Sequence, residues 1–243
     1  MKTGMQFFAI RNVDRPLTEI ITDVGETSLD GVEFAYRVHE TDKVKIREAI
    51  DDAGLEVPAG HVELETLEND IEGAIEDAQT LGYDDIVVPW GEPEFFESVD
   101  SIEEFANRLS EIANEIAEAE ITLHYHNHDQ SFVETEEGLA YHVLADRAPD
   151  VMLQVDVGWA LAGGVDPVDL LERYADRISM VHMKDVYTDS EDVPELGEGD
   201  LDIDAAGEAA HDINAECLIY DNDEPRDPPT SHQLAADVLS EHS

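Results

Sequence analysis

Histidines occupy every second position of the segment LHYHNHDQ (123–130), as His124, His126 and His128. Side chains two residues apart share one face of an extended strand, so this spacing predicts three imidazoles on one face. An imidazole can ligate a divalent metal ion or exchange a proton near neutral pH. The segment is therefore a candidate metal site or a candidate general base with helpers, and the alternative is a polar rim without chemistry.

Other apolar runs of the chain also end in side chains that could do chemistry. Asp156 in QVDVGW and His182 in VHMKD each interrupt a strongly apolar run near its end. A buried carboxylate or imidazole is costly unless it is paired or bound to a metal ion. Mixed His and Asp ligands without Cys suit Mn²⁺, Co²⁺, Zn²⁺ or Mg²⁺, so we expect a divalent metal site. The polar residues near the ends of the runs are Glu33, His61, Glu63, His126, His128, Asp156, His182, Lys184, Asp185, Asp221 and Asp223.

Eight short apolar runs, separated by amphipathic stretches, must position these side chains. Strands that alternate with helices at roughly 25–35 residues per unit are typical of a parallel (β/α)8 barrel, and we predict a single α/β TIM barrel domain over residues 1–243. A doubly wound open sheet is the alternative, but no glycine-rich phosphate loop follows the first run. The site of a barrel lies at the carboxyl ends of its strands, where the polar residues fall. The predicted strands are 5–10, 31–36, 55–62, 85–90, 121–126, 151–157, 178–183 and 217–222.

Helical periodicity fills the stretches between the strands. Residues 101–120 carry apolar side chains at i, i+3 and i+4 spacing, and Ser101 with Glu104 predicts a capping box at the start of this helix. The stretch 69–82 begins at an Asn/Asp cap and ends at a glycine, while 166–177 begins with an Asp-Pro pair. These caps predict where the helices begin and end.

The chain has 60 acidic and 13 basic residues, which give a formal net charge of -47. The acids interleave with regular apolar positions, which favours a folded protein with an acidic surface over a disordered acidic chain. Such a surface repels itself unless salt screens it, so we predict a protein of the high-salt cytoplasm of a halophile. Nucleic acids and anionic membranes are unfavourable partners, because both are bound through Lys and Arg. The N-terminus lacks the long apolar stretch of a signal peptide, and no run approaches the about 18 apolar residues of a membrane span.

Five segments, YHNHD, LQVDVGWALAGGVDP, RISMVHMKD, LGEGDLD and CLIYDND, resemble in type and order those of the xylose-isomerase-like sugar phosphate isomerase/epimerase superfamily. This group includes inosose dehydratases, hydroxypyruvate isomerases and ketose 3-epimerases, and it is related in fold to type-IV AP endonucleases. The resemblance extends from GVEFAY to YDND and covers most of the chain. It implies a (β/α)8 barrel that holds one divalent ion at the ends of strands 5 to 8.

By position, the resemblance assigns the four metal ligands to His126, Asp156, His182 and Asp221. The family usually has Glu at the first and last of these places. His126 therefore removes one negative charge and one base, and Asp221 shortens the ligand arm by one methylene. Related sequences with the His-Asn-His segment often carry a Glu a few residues later, where this chain has Ser131.

The resemblance implies proton abstraction next to the carbonyl of a sugar, sugar phosphate or polyol ketone, through an enediolate. Isomerisation, epimerisation or dehydration would follow. Lys184 could pair with developing oxyanion charge. Its alternative role is to form a salt bridge with Asp185 or Asp223. The expected catalytic residues are Glu33, Asp221 and Lys184, the expected substrate contacts are His61, His128, Trp159 and Asp223, and His124 is expected to be structural.

Two other functions remain open at the level of sequence. A barrel that binds sugars without turnover would follow from the changes at positions 126 and 221. A metal-dependent AP endonuclease needs further metal ligands and a basic surface for DNA, which 13 Lys and Arg residues do not supply. A homo-oligomer is also left open.

Overall fold

The computed structural model describes residues 1–190 and 192–242, which form a barrel of eight parallel strands surrounded by helices. At least one helix separates each strand from the next, so all eight strands run in the same direction. The (β/α)8 fold predicted from the sequence is confirmed. The strands are β1 (Lys2–Gln6), β2 (Gly31–Glu33), β3 (Gly60–His61), β4 (Asp85–Val88), β5 (Thr122–His126), β6 (Met152–Asp156), β7 (Met180–Met183) and β8 (Cys217–Tyr220).

Helices pack around the outside of the barrel. None of those in the described residues combines the length and the hydropathy of a membrane span. A short antiparallel pair, Glu134–Thr135 with Gly138–Leu139, adds a hairpin before the sixth helix. The helices are α1 (Leu17–Gly25), α2 (Lys43–Ala53), α3 (Leu64–Asn69), α4 (Ile71–Leu81), α5 (Val99–Ala117), α6 (Ala140–Arg147), α7 (Val157–Ala162), α8 (Pro167–Arg173), α9 (Ile203–Asp212) and α10 (Ser231–Leu239).

The strand order around the sheet is β2-β1-β8-β7-β6-β5-β4-β3, and the barrel closes between β2 and β3. Pairing at this closure is irregular, with only two isolated bridges, Gly31 to Glu56 and Phe34 to Gly60. Pro58 lies between the bridges, and it has no N–H to donate to a ladder. The predicted strand 55–62 is therefore reduced to the two residues of β3.

The first strand also differs from its predicted range of 5–10. The Gln6 side chain accepts a hydrogen bond from the Phe8 N–H, and residues Phe7–Ile10 turn into a 3₁₀ helix. Phe7 and Ile10 remain buried in this turn. The apolar run is thus part of the core, but only its first residues extend the sheet.

The predicted helix starts are correct at two of the three sites, although α8 ends at Arg173, before the predicted position 177. Asp70 caps α4 and Gly82 ends it, while Asp166 caps α8, which starts at a proline. The capping box predicted for Ser101 and Glu104 is wrong. Ser98 is the cap of α5, and its hydroxyl accepts from the Ser101 N–H while the Ser101 side chain accepts from the Ser98 N–H, so this helix begins earlier than predicted.

Alternation along the strands divides the interior of the barrel into two layers. The lower layer is apolar and consists of the buried cluster Ala59, Val87, Met180, Cys217 and Ile219. Two residues further along their strands, polar side chains replace apolar ones, for example His61 after Ala59 and His182 after Met180. The polar layer therefore lies at the carboxyl ends of the strands.

Candidate metal centre and active-site cavity

Four neighbouring strands each bring one possible metal ligand into the polar layer. His126 and Asp156 are the last residues of β5 and β6, His182 lies in β7, and Asp221 directly follows β8. Asp156 and His182 are register partners across β6 and β7. One ligand atom from each of the four residues lies within 4.8 Å of the others, and all four residues are buried. A second, overlapping group consists of His61, His126 and His182.

The four-residue group presents acceptor atoms that lack partners. Asp156 Oδ2 and Asp221 Oδ1 are buried and accept no hydrogen bond from any described residue. The nearest imidazole nitrogen to Asp156 Oδ2 is His126 Nε2, at 3.9 Å. Buried carboxylate oxygens without donors are costly, and a cation between them would compensate both. The donor set fits a divalent metal ion, because imidazole and carboxylate ligands suit several such ions.

Hydrogen bonds orient both candidate histidine ligands. His126 Nδ1 lies 3.1 Å from the amide oxygen of Gln154, and His182 Nε2 lies 3.0 Å from Glu33 Oε2. An amide oxygen and a carboxylate can only accept, so each of these ring nitrogens carries the proton. The opposite nitrogens, His126 Nε2 and His182 Nδ1, then face the group, as in metal sites where a second residue fixes the histidine tautomer.

Gln154 connects its own strand, β6, to three other strands in this layer. Its amide nitrogen donates to Glu33 Oε2 at 2.9 Å, and its oxygen also lies 3.0 Å from His61 Nε2. His61 Nδ1 in turn lies 3.2 Å from the Gln6 amide nitrogen, and His61 Nε2 contacts Glu33 Oε1. Glu33 is fully buried behind these imidazoles. Through Gln154 and Glu33, this network fixes the orientation of the candidate ligands His126 and His182.

The carboxylate of Asp156 is fixed through its own backbone and through α7. Asp156 Oδ1 caps this helix by accepting from the Trp159 N–H at 2.7 Å. The Asn127 side chain accepts from the Asp156 N–H and donates to its carbonyl oxygen, both at 3.0 Å. Only Oδ2 is left to face the metal group.

Lys184 is buried beside Asp221. Its Nζ lies 3.2 Å from Asp221 Oδ2 and 2.8 Å from Asp223 Oδ2, and it lies 5.2 Å from the centre of the Trp159 ring. The carboxylate of Asp185 instead accepts backbone N–H groups at Gly197, Gly199 and Leu201, and it fixes the loop after β7. The alternative expected for Lys184, a salt bridge to Asp185 or Asp223, is therefore found, and its partner is Asp223.

The polar layer perturbs the pKa values of its members. Burial alone would raise the pKa of Glu33, but the imidazoles of His61 and His182 lower it to about 2. Burial opposes protonation of His182, but the carboxylates of Glu33 and Asp221 raise its pKa to about 10. Burial raises the pKa of Asp156 to about 7, although Lys184 counteracts this in part. His182 is therefore cationic at neutral pH, and a metal ion bound at its Nδ1 would have to displace a proton.

A cavity of about 900 Å³ opens beside this group. Burial and the charge of Lys184 lower the pKa of His128 to about 3, so this lining residue is neutral at physiological pH. Trp159 packs against His128 with the rings tilted by 34° and their centres 5.2 Å apart, and it does not itself line the cavity. Five of the predicted site residues line the cavity, namely His61, His126, His128, Asp221 and Asp223, whereas Glu33, Asp156, Trp159, His182 and Lys184 lie behind them.

The structure thus brings together all of the predicted site residues, and it adds three amides that the sequence did not reveal. Gln154, Gln6 and Asn127 are buried polar residues within or directly after strands. Gln154 interrupts an apolar run two residues before Asp156, which is the one signal that could have indicated it. His124, expected to be structural, is fully buried and lies 2.6 Å from Asp85, away from the cavity.

Comparison with known proteins places the chain in a family. The profile of the family described as xylose isomerase-like TIM barrel matches residues 21–242. The chain belongs to this family. The resemblance found in the five sequence segments is confirmed, and the xylose isomerase-like barrel accounts for the strand order and for the polar layer at the carboxyl ends of the strands.

Curated relatives match a shorter part of this xylose isomerase-like barrel. An inosose dehydratase of Geobacillus kaustophilus is 42% identical over 90 residues, which are 37% of this chain and 28% of that protein. The rhizopine catabolism protein MocC of Rhizobium meliloti is 36% identical over 87 residues, or 36% of this chain and 26% of that protein. The matched stretch thus spans little more than a quarter of each relative.

Solved structures of similar fold extend over the whole chain. The probable 3-DHS dehydratase AsbF of Bacillus anthracis has a TM-score of 0.84 at 15% identity and covers 100% of both chains. A sugar phosphate isomerase/epimerase of Parabacteroides distasonis has a TM-score of 0.82 at 19% identity and covers 98% of this chain and 93% of that chain. At such low identity the likeness shows the barrel fold alone.

Proposed function

We propose that this barrel is a metal-dependent enzyme that removes a proton next to the carbonyl group of a sugar or polyol ketone. The observation that carries the proposal is the group of His126, Asp156, His182 and Asp221. Two of its carboxylate oxygens lack partners among the described residues, and two of its members line the cavity. A Mn²⁺, Co²⁺, Zn²⁺ or Mg²⁺ ion held there would supply Lewis-acid polarisation of a carbonyl and its neighbouring hydroxyl, which acidifies the adjacent C–H bond.

Asp221 is the proposed base. Burial would raise the pKa of this carboxyl, but Lys184 and His182 lower it well below its ordinary range, so Asp221 is ionised at neutral pH. Both partners contact Oδ2, and Oδ1 accepts no hydrogen bond within the described part of the chain. One oxygen could therefore ligate a metal ion while the other accepts the substrate proton. Because its low pKa makes Asp221 a weak base, this transfer would depend on a C–H bond that the metal has strongly acidified.

In this proposal the remaining residues of the predicted site bind the substrate or position other side chains. His128 and His61 line the cavity as donors or acceptors for substrate hydroxyls, and Asp223 lines it on the same side as Asp221. Lys184 acts through Asp221 by keeping it ionised. Glu33 is fully buried and bonded to His182. In this proposal it orients that candidate ligand and has no catalytic role.

The fate of the proton separates the possible products. Its return to the neighbouring carbon isomerises the substrate, its return to the opposite face epimerises it, and loss of a β-hydroxyl dehydrates it. Isomerase or epimerase activity is the first candidate. Dehydratase activity is the second, favoured by the 42% identity over 90 residues to an inosose dehydratase. A barrel that binds sugars without turnover is the outcome that the test must exclude.

The test is exchange of a substrate C–H proton with solvent. The protein is stripped with chelator in molar KCl and reloaded with Mn²⁺ or Co²⁺, and a panel of ketoses and polyol ketones in D₂O is followed by NMR. We expect deuterium incorporation that needs the metal and is lost in Asp156→Asn. His124→Asn, on the same strand as His126 but outside the group, should retain it. Sugar binding without metal-dependent exchange would contradict the enzyme proposal.

We also infer that the protein works at high salt, in the cytoplasm of a halophile. The supporting observation is the formal net charge of -47 on a folded barrel. Molar salt shortens the Debye length to about 3 Å and screens the repulsion between surface carboxylates. A rise of stability with KCl concentration is the expected result.

A further inference from the structure

The cavity is larger than a single sugar ring requires. Its volume of about 900 Å³ is near the upper end of the about 300–1,000 Å³ of pockets that hold drug-sized ligands, whereas a monosaccharide has only about a dozen non-hydrogen atoms. His126 and Asp221 lie at the metal end. From there the lining extends to Lys43 and Asp77, which form an ion pair between α2 and α4. Much of the cavity is therefore beyond the reach of a ring that contacts the metal group.

Two exposed aromatic side chains line this cavity on either side of the end of β3. Tyr36 follows β2 and is 50% exposed, while Trp90 follows β4 and is 37% exposed. The other exposed large hydrophobic side chains of the described residues, Val44 and Val133, do not line the cavity. Aromatic side chains have an apolar face and a limited number of rotamers, which suits them to stack on a sugar ring.

Each of the two aromatic rings is supported by a second ring. Phe8 packs edge-on against Tyr36, with ring centres 5.9 Å apart, and His128 packs edge-on against Trp90 at 4.7 Å. His128 also packs edge-on against His126 at 5.0 Å. A continuous series of rings thus connects the candidate metal ligand His126 to the exposed Trp90.

The cations along this part of the cavity are already paired. Arg37 donates to the carbonyl oxygens of Val13 and Arg15, each at 2.7 Å, and to Glu40 at 2.9 Å. Lys43 is paired with Asp77. The lining also includes the carboxylates of Glu63, Asp70, Glu76 and Asp77. A phosphate or carboxylate on the distal part of a ligand would therefore meet negative charge without a cation to compensate it.

We infer that the substrate of this enzyme is a neutral glycoside-like molecule, whose reacting ring lies at the His126–Asp221 end and whose second, uncharged ring lies between Tyr36 and Trp90. The inference rests on the proposed function for the identity of the reacting end. The distal subsite itself follows from the cavity volume, the two exposed rings and the acidic lining. It excludes phosphorylated sugars as good ligands.

The test compares neutral disaccharides with glucose and glucose 6-phosphate. Binding of maltose, cellobiose and trehalose is measured by NMR titration in molar KCl, on metal-stripped and metal-loaded protein. We expect at least one disaccharide to bind about tenfold more tightly than glucose, through its contacts with the two rings, and glucose 6-phosphate to bind less tightly than glucose. Equal affinities, or no measurable binding of any disaccharide, would overturn the subsite.

Variants identify which side chains produce the preference. Tyr36→Ala and Trp90→Ala should each lower the ratio of disaccharide to glucose affinity about threefold, since the two rings together produce the tenfold preference, while Tyr36→Phe, which keeps the ring, should retain it. Val133→Ala removes an exposed apolar side chain outside the cavity and should leave the ratio unchanged. A ratio that does not respond to either alanine substitution would overturn the assignment. Because binding is measured without turnover, the subsite and the reaction are tested separately. A disaccharide preference would support the subsite even if the protein shows no deuterium exchange. The missing exchange would then contradict only the proposed reaction.

Discussion

Replacement of Gln154 by Leu is expected to weaken metal binding although it removes no metal ligand. The Gln154 amide oxygen lies 3.1 Å from His126 Nδ1, and its nitrogen donates to Glu33 at 2.9 Å. Leu has a similar size but no polar atom, so His126 loses the partner that keeps its proton on Nδ1 and its lone pair on Nε2. Loss of such a partner typically weakens metal affinity about 10–100-fold, or roughly 1.4–2.7 kcal/mol.

The assay is the metal-dependent increase in the free energy of unfolding, measured by chemical denaturation in molar KCl. At a free metal concentration of 100 times the native Kd, the native protein gains about 2.7 kcal/mol, and a variant with 10–100-fold weaker binding gains only about 1.4 to 0.4 kcal/mol. The substitution also leaves Glu33, His61 and His126 with fewer hydrogen bonds, which costs about 1–3 kcal/mol for each unsatisfied group with or without metal. The difference between metal-loaded and stripped protein isolates the metal effect.

Gln6→Leu is the matched control. Gln6 lies in the same polar layer, 3.2 Å from His61, but it has no bond to the four candidate ligands. It should keep the full metal-dependent increment. An unchanged increment in Gln154→Leu would refute the orienting role of Gln154. A loss of equal size in Gln6→Leu would instead indicate that the metal is held by the overlapping group of His61, His126 and His182.

Three further predictions follow from the charges and close contacts. Because the pKa of His182 is raised to about 10 and that of Asp156 to about 7, the apparent metal association constant should rise about tenfold per pH unit between pH 7.5 and 8.5 and about 100-fold per unit below pH 6. Competition titrations with a chelator would measure it, and a pH-independent constant would contradict a bound proton at either site. With a net charge of -47, the melting temperature of the native protein should rise steadily between 0.1 and about 2 M KCl, and a flat profile would contradict the halophilic assignment. Gly158→Ala should destabilise the protein by about 1–3 kcal/mol in urea unfolding, because the new Cβ would lie 2.5 Å from the Lys184 carbonyl oxygen; native stability would show that α7 shifts at little cost.

The barrel and its candidate ligands could be predicted because both follow from local patterns. Apolar runs of strand length alternate with helical periodicity, and that alternation specifies a parallel sheet. Side chains two residues apart then share the inner face, so Asp221 and Asp223 after β8, or His126 at the end of β5 and His128 after it, reach the same mouth. The errors were also local. Pro58 shortened β3, and the Gln6 side chain ended β1 before the apolar run ended.

The supporting residues could not be predicted, because their partners come from distant strands. Gln154 bonds to Glu33 of β2, His61 of β3 and His126 of β5, and these contacts exist only once the barrel is closed. In the sequence it is one amide in an apolar run, with no titratable group to draw attention. The same closure buries Glu33 behind His182, which explains why a carboxylate expected to be catalytic does not line the cavity.

The position of a bound metal ion is the decisive test of the proposed metal centre. Crystals of the protein loaded with Mn²⁺, Co²⁺ or Zn²⁺ would be measured at the absorption edge of the metal. We predict a single anomalous peak within about 2.0–2.3 Å of ligand atoms from His126, Asp156, His182 and Asp221. A peak bound by His61, His126 and His182, or the absence of a peak from the polar layer, would contradict a metal centre formed by the four residues.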